Sequence, residues 1–180
     1  HVPGLRTAPK TLGTQVAWQP PPSEYIKINV DASFVEDISA ASVGVVARDS
    51  YGNVIVSTWD FIGLCKSAEE AELRACISGL YIGITLHNPE ILETECAFVV
   101  ASLAKDNFDR SALFDLKKEA MNISKMLNGF NISKINRSAN VVAHLIAKYS
   151  LDNRSDGILV NDVPPCLVNF VMSDCNSSLS

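Results

Sequence analysis

Three runs of strand-forming residues follow one another between Tyr25 and Phe61 with short loops between them, and this succession is the strongest constraint on the fold. In the first run Ile26, Ile28 and Val30 alternate with Lys27, Asn29 and Asp31, so one strand face is apolar and the other polar, and the strand is expected to end near Asp31. The second run spans Ser42 to Arg48 and the third Asn53 to Phe61. Between them Asp49-Ser50-Tyr51-Gly52-Asn53 has the composition of a hairpin turn. Parallel neighbours need a long crossover, so short loops imply an antiparallel meander.

The pattern then changes period. Ser67 followed by Glu70 is a capping-box signature, and behind it Leu73, Ile77, Leu80 and Ile84 recur at helical spacing until Asn88-Pro89, which predicts a helix over about 68–87. Ile91 to Val100 begins as a strand and is expected to pass into a helix near Ala97. Leu113, Leu116, Ala120, Ile123 and Leu127 form one helical stripe within 111–127, with Gly129 as its C′ residue. Phe130, Ile132 and Ile135 then suggest a strand, and Asn140 is suited to cap a last helix carrying Val141, Leu145 and Tyr149. The predicted order is three strands, a helix, a strand, one or more helical segments, a strand and a helix.

With 180 residues, 47% of them hydrophobic, the chain is long enough for one well-buried core and short for two. The expected division is a flexible leader over 1–17, a domain over 18–172 with its core at about 24–150, and a Ser/Asn-rich disordered tail over 173–180. Trp18 and Pro20-Pro21-Pro22 form a stiff entry to the domain, because proline fixes φ. A start at His1 is compatible with a fragment of a longer protein, and neither a secretion signal nor an apolar membrane-spanning run stands out. The five cysteines have no metal-type spacing, and Cys65, Cys76 and Cys96 lie in apolar segments. That pattern favours buried thiols in a reducing compartment, cytoplasm or nucleus, and makes the Asn-x-Ser matches chance occurrences. Twenty acidic residues against 15 basic give a net charge of −5, which argues against strong nonspecific adhesion to nucleic acid.

Two carboxylates stand out from these elements. Asp31 lies on the polar face of the first strand, where a solvated loop residue is the plain alternative. Glu72 lies on the first helix beside the small residues Ala68, Ala75, Cys76 and Gly79, a strip that lets a helix approach a sheet. Its plain alternative is an acidic first turn complementing the helix dipole.

A resemblance sharpens this reading. Trp18 and Pro20-Pro21-Pro22, Lys27-Ile28-Asn29-Val30-Asp31, Val43-Gly44-Val45-Val46-Ala47-Arg48-Asp49 with Gly52, and Ala71-Glu72-Leu73-Arg74-Ala75 follow one another in order. Glu93-Thr94-Glu95-Cys96, then Asn136-Arg137-Ser138-Ala139-Asn140-Val141-Val142-Ala143-His144-Leu145-Ile146-Ala147, then Pro164-Pro165 with Asp174 continue the series. Together, over about 18–174, they resemble the plant ribonuclease-H-like domain family, a group related to the ribonuclease H domains of non-LTR retroelements.

The resemblance implies an α/β fold of ribonuclease-H-like type, with a five-stranded mixed sheet of three antiparallel strands then two parallel ones and helices on its faces. It implies an endonuclease that cuts RNA in RNA–DNA hybrids with two Mg²⁺ (or Mn²⁺) ions, held by Asp31, Glu72 and Glu95. Two cations about 3.5–4 Å apart clamp the attacking and leaving oxygens of an in-line displacement, and clustered carboxylates hold them there. His144 takes the last-helix position, with a part in proton transfer or product release, and Asn29, Ser33 and Asn140 are the implied nucleic-acid contacts. Lys117, Lys118 and Lys125 read equally well as phosphate contacts or as a solvated helix face.

Two positions depart from the family. Glu95 stands where Asp is usual, which displaces the carboxylate by about one bond length against Mg–O distances of about 2.0–2.1 Å. Ala32 stands where glycine is usual, and brings strain if that position needs positive φ. The alternatives are a domain that binds nucleic acid without cutting it and a protein-interaction module, the latter favoured by the acidic balance.

Overall fold

Ile26, Ile28 and Val30 do point to one side of a strand and Lys27, Asn29 and Asp31 to the other, but the strand, β1 (Ile26–Val35), runs four residues beyond Asp31. The computed structural model describes residues 16–104 and 112–177. The leader expected over 1–17 therefore lies outside the described residues apart from Val16 and Ala17. β1 pairs antiparallel with β2 (Ala40–Arg48), and β2 with β3 (Val54–Ile62), giving the expected meander. At the second turn Asp49 Oδ1 accepts from the backbone N–H of both Tyr51 and Asn53 (2.9 Å each), and Gly52 supplies the positive φ of 84°.

Helix α1 (Ala68–Leu86) starts where the capping signature places it, with Ser67 Oγ accepting from Glu70 N at 3.1 Å. β4 (Glu90–Thr94) then lies parallel to β1 on its other edge, followed by α2 (Ala97–Ala104), α3 (Phe114–Ser124), and β5 (Asn131–Lys134) parallel to β4. Gly129 has a positive φ of 78°, but α3 ends at Ser124 and Gly129 serves the turn into β5 instead of capping the helix.

α4 (Val141–Asn153) follows the 3-10 turn Arg137–Ala139. Beyond it the structure departs from the sequence expectation twice. A sixth strand, β6 (Gly157–Val160), adds antiparallel to β3, so the sheet order is β5-β4-β1-β2-β3-β6 instead of five strands. And the region expected to be disordered from Ser173 is helical to Ser177, within α5 (Val168–Ser177).

The sheet is covered on both faces. Ile28, Val30, Val43, Val45 and Leu92 pack under α1, α2 and α3, while Val46 packs with Val142, Ala143 and Ile146 of α4 and with Val163 and Leu167 before α5. Apolar burial of this kind, about 25 cal/mol per Å², is the dominant stabilising term. Cys65 and Cys76 are buried thiols, and no helix among the described residues is long and apolar enough to cross a membrane.

The second face also carries a polar network that draws in both ends of the domain. The Arg48 guanidinium is fully buried, 3.6 Å from the centroid of the Trp18 ring, and its Nη1 donates to Asp174 Oδ2 at 3.0 Å. Asn29 Oδ1 accepts from Trp18 Nε1 (3.0 Å) and Arg48 Nη2 (3.3 Å), and Asn29 Nδ2 donates to Glu93 Oε2 at 2.9 Å. Lys27 closes the chain on Glu93 Oε1 at 2.9 Å and on the Gln19 carbonyl at 2.6 Å. This network docks α5 against the sheet through Asp174.

On the opposite face one carboxyl is buried with no such support. Glu90 is fully buried, neither oxygen has a hydrogen-bond partner, and its carboxyl fills the space a Cβ on Gly83 of α1 would occupy. Burial pushes its pKa up to about 8.

Two stability predictions follow from these groups. Asp174→Ala strands the buried Arg48 charge and costs roughly 3–5 kcal/mol in urea denaturation, whereas Arg48→Met with Asp174→Leu recovers most of that loss. For Glu90, the folded state keeps its proton between about pH 4.5 and 8 while the unfolded chain releases it, so stability falls as pH rises through that window. Glu90→Gln removes this dependence, so its advantage over the wild type grows from pH 5 to pH 9, reaching on the order of 3–5 kcal/mol.

Candidate active site

Asp31 and Glu95 become neighbours through strand register. β1 and β4 run parallel with Asn29 beside Glu93, and two residues further along each chain are Asp31 and Glu95, the latter just past the end of β4. Thr94 Oγ1 accepts from Cys96 N at 3.1 Å, which turns the chain at this point.

His144 arrives by close packing. Asp31 lies opposite Gly44 in the β1–β2 register, and α4 crosses the sheet at that glycine. A Cβ on Gly44 would collide with the Ala147 nitrogen and the Ala143 carbonyl, so only glycine allows the helix this close. As a result His144 Nδ1 stands 2.8 Å from Asp31 Oδ2, and the ring donates to the carboxylate when Nδ1 carries the proton.

Glu72 projects from the first turns of α1, a helix held close to the sheet where Gly79 meets Val30 and Leu92. Its Oε2 is buried with no hydrogen-bond partner, and so is Oε1 of Glu95. The other Glu95 oxygen, Oε2, accepts from Arg137 Nε at 3.1 Å.

The electrostatics reflect this crowding. Burial, then the charges of Asp31 and Glu95, push the Glu72 carboxyl up to about 8, with Arg137 pulling the other way. Burial also raises Asp31, the His144 hydrogen bond opposes it, and Glu95 adds to the rise. The buried Asp31 and the half-buried Glu72 and Glu95 thus repel one another, and one oxygen of each glutamate is buried without a hydrogen-bond partner. This donor chemistry fits a divalent cation. The spacing is looser: among the described residues no set of three or more His, Cys, Asp and Glu side chains is gathered closely enough to hold a metal ion. Two of the three carboxylates already have partners, Asp31 in His144 and Glu95 in Arg137.

The other residues singled out from sequence fare unequally. Ala32 lies in extended β1 and is not among the residues with positive φ, so the expected backbone strain does not arise. Ser33 shares the Asp31 face of β1 and is half-buried. Asn29 and Asn140 are fully buried and present no atom to an outside ligand. Asn29 belongs to the Arg48 network. Asn140 occupies the N-cap position of α4 but makes no capping bond there; its Nδ2 reaches across to the Val30 carbonyl at 3.0 Å and fixes the helix start beside Asp31. Lys117 lies over the Phe98 ring at 4.9 Å.

Sequence reasoning passed over Arg137 as a site residue, although it lies in the Asn136–Asn140 stretch that carried part of the resemblance. The usable signal was a cation at the entry to the last helix.

Comparison with known proteins agrees with this architecture. Residues 29–150 match the reverse transcriptase-like family. No curated protein matches the sequence. Among solved structures, the N-terminal ribonuclease H domain of a Mycobacterium tuberculosis protein superimposes with a TM-score of 0.66 at 20% identity, covering 73% of this chain and 96% of that one. Ribonuclease H1 from Halobacterium salinarum gives 0.65 at 22% identity, covering 72% and 98%. A ribonuclease H1 from a compost metagenome, solved with an RNA/DNA hybrid, gives 0.64 at 18% identity, covering 72% and 98%. With residues 29–150 matched, this chain belongs to the reverse transcriptase-like family, and its α/β architecture, with a sixth strand added at the edge, has the ribonuclease H fold.

Proposed function

We propose that this domain is a divalent-cation-dependent endonuclease acting on the RNA strand of RNA–DNA hybrids. The proposal is supported by the β1–β4 register that brings Glu95 beside Asp31, by the repulsion of both on Glu72, and by one buried oxygen on each glutamate that lacks a hydrogen-bond partner. The ribonuclease H fold, and a structural neighbour solved with an RNA/DNA hybrid, supply the substrate class. The plant and retroelement affinities are part of the same proposal and rest on the sequence motifs alone.

In this reading Asp31, Glu72 and Glu95 hold Mg²⁺ or Mn²⁺, which when bound supplies an activated water and neutralises the leaving oxygen. The chain's own part is positioning. His144 fixes Asp31 through Nδ1, and the imidazole, 29% exposed, keeps Nε2 for proton exchange at the rim. Ser33 is the proposed contact to the hybrid backbone from the open end of β1.

A second reading, a domain that binds hybrid without cutting it, is favoured by the Glu95–Arg137 pair and by the looseness of the acidic set. A labelled hybrid incubated with Mg²⁺ or Mn²⁺ separates the two. The nuclease reading expects RNA-strand cleavage that falls about a hundredfold or more in Asp31→Asn and Glu72→Gln. Binding with a rate equal to that of Asp31→Asn supports the second reading. Glu95→Asp, which restores the family's usual residue, is expected to raise the cleavage rate, and a lower rate would show that the longer side chain is suited to this site.

A further inference from the structure

Arg137 opens the 3-10 turn Arg137–Ala139, and this turn is tied down on both sides. Ser138 Oγ donates to the Val16 carbonyl at 2.8 Å, and Asn140 Nδ2 to the Val30 carbonyl at 3.0 Å. The backbone is thereby fixed beside the acidic site, while the Arg137 side chain is 69% exposed and reaches Glu95 through Nε alone. Its Nη donors meet no acceptor among the described residues.

The two partners are unequally placed. Glu95 is 19% exposed, and its second oxygen is buried without a hydrogen bond. An ion pair with one end this exposed is worth about 0–1 kcal/mol, so it exchanges readily for a stronger partner. The guanidinium thus satisfies one oxygen of Glu95 through one of its nitrogens. Its planar fork can form two parallel bonds to a phosphate, a geometry the single contact to Glu95 leaves unused.

We infer that Arg137 is an internal counter-cation of the acidic site, which holds Glu95 until a divalent ion displaces it and then turns its guanidinium to a nucleic-acid phosphate. The inference rests on the reading of Asp31, Glu72 and Glu95 as a cation site. Arg137 is a positioning residue in this scheme, acting through Glu95 in one state and on the backbone of the bound strand in the other.

The test needs no turnover. Free Mn²⁺ is followed by electron paramagnetic resonance during titration of the full chain and of the Arg137→Gln, Arg137→Lys and Asp31→Asn variants, without nucleic acid. Removing the competing charge should tighten Mn²⁺ binding in Arg137→Gln about tenfold, equivalent to roughly 1.4 kcal/mol. Arg137→Lys should stay close to wild type, and Asp31→Asn should lose the binding. Equal or weaker binding in Arg137→Gln, or no binding by either it or the wild type, overturns the inference. With Ca²⁺ present, the salt dependence of hybrid binding should flatten in Arg137→Gln by about 0.9 in logarithmic slope, as for one lost phosphate contact. An unchanged slope overturns the phosphate contact. Tighter Mn²⁺ binding in Arg137→Gln by a protein that cuts no hybrid supports the counter-cation and rejects the nuclease reading, so the two failures are distinct.

Discussion

A guanidinium without access to solvent holds the two ends of this domain against the middle of its sheet. Arg48 stacks on Trp18 from the N-terminal side, bonds Asn29 on the central strand and pairs with Asp174 on the C-terminal helix. Burying such a charge is costly, and burial lowers the Arg48 pKa despite the nearby Asp174 carboxylate. The cost is offset only when all the partners are present, so the interaction selects one arrangement of segments that are far apart in sequence. The same network continues through Asn29, Glu93 and Lys27, with Asn29 and Glu93 each two residues before Asp31 and Glu95. The strand pair that carries the acidic site is therefore locked in register from below.

Above that lock, proximity comes from small residues. Gly44 lets α4 lie on the sheet and delivers His144 to Asp31, and Gly79 lets α1 lie on the other face and brings Glu72 inward. The site is then crowded with negative charge, and the protein's own answers are partial: one imidazole for Asp31, one guanidinium for Glu95, and none for the buried Glu72 oxygen. Raised carboxyl pKa values are the direct consequence of burial without full compensation. Perturbed carboxyls of this kind mark candidate functional sites, and a cation is what the proposed function supplies to them.

Much of this was legible in the residues. Alternation gave β1 its faces, the Ser67–Glu70 box gave α1 its start, and Asp49 to Asn53 gave the hairpin its turn, because each signal acts over a few neighbouring residues. What escaped depends on distant partners. β6 is four residues long, with Ile158 and Val160 largely exposed at the sheet edge, so it has no burial pattern to read. α5 is polar enough to pass for a tail until Asp174 finds Arg48. Asn140 has the chemistry of a cap, yet the Val30 carbonyl takes its amide; that choice is set by the approach of α4 to β1. The three carboxylates were singled out through their order along the chain, whereas Arg137 enters through its reach to Glu95, which no local pattern encodes.

The central claim is that Asp31, Glu72 and Glu95 form one cation site whose charge Arg137 balances provisionally. The most direct measurement is a crystal structure of the domain with Mn²⁺, located by its anomalous scattering. The account predicts a peak bounded by these three carboxylates with the Arg137 guanidinium withdrawn from Glu95. Mn²⁺ bound elsewhere, with Arg137 still on Glu95 and the three carboxylates apart, would contradict it.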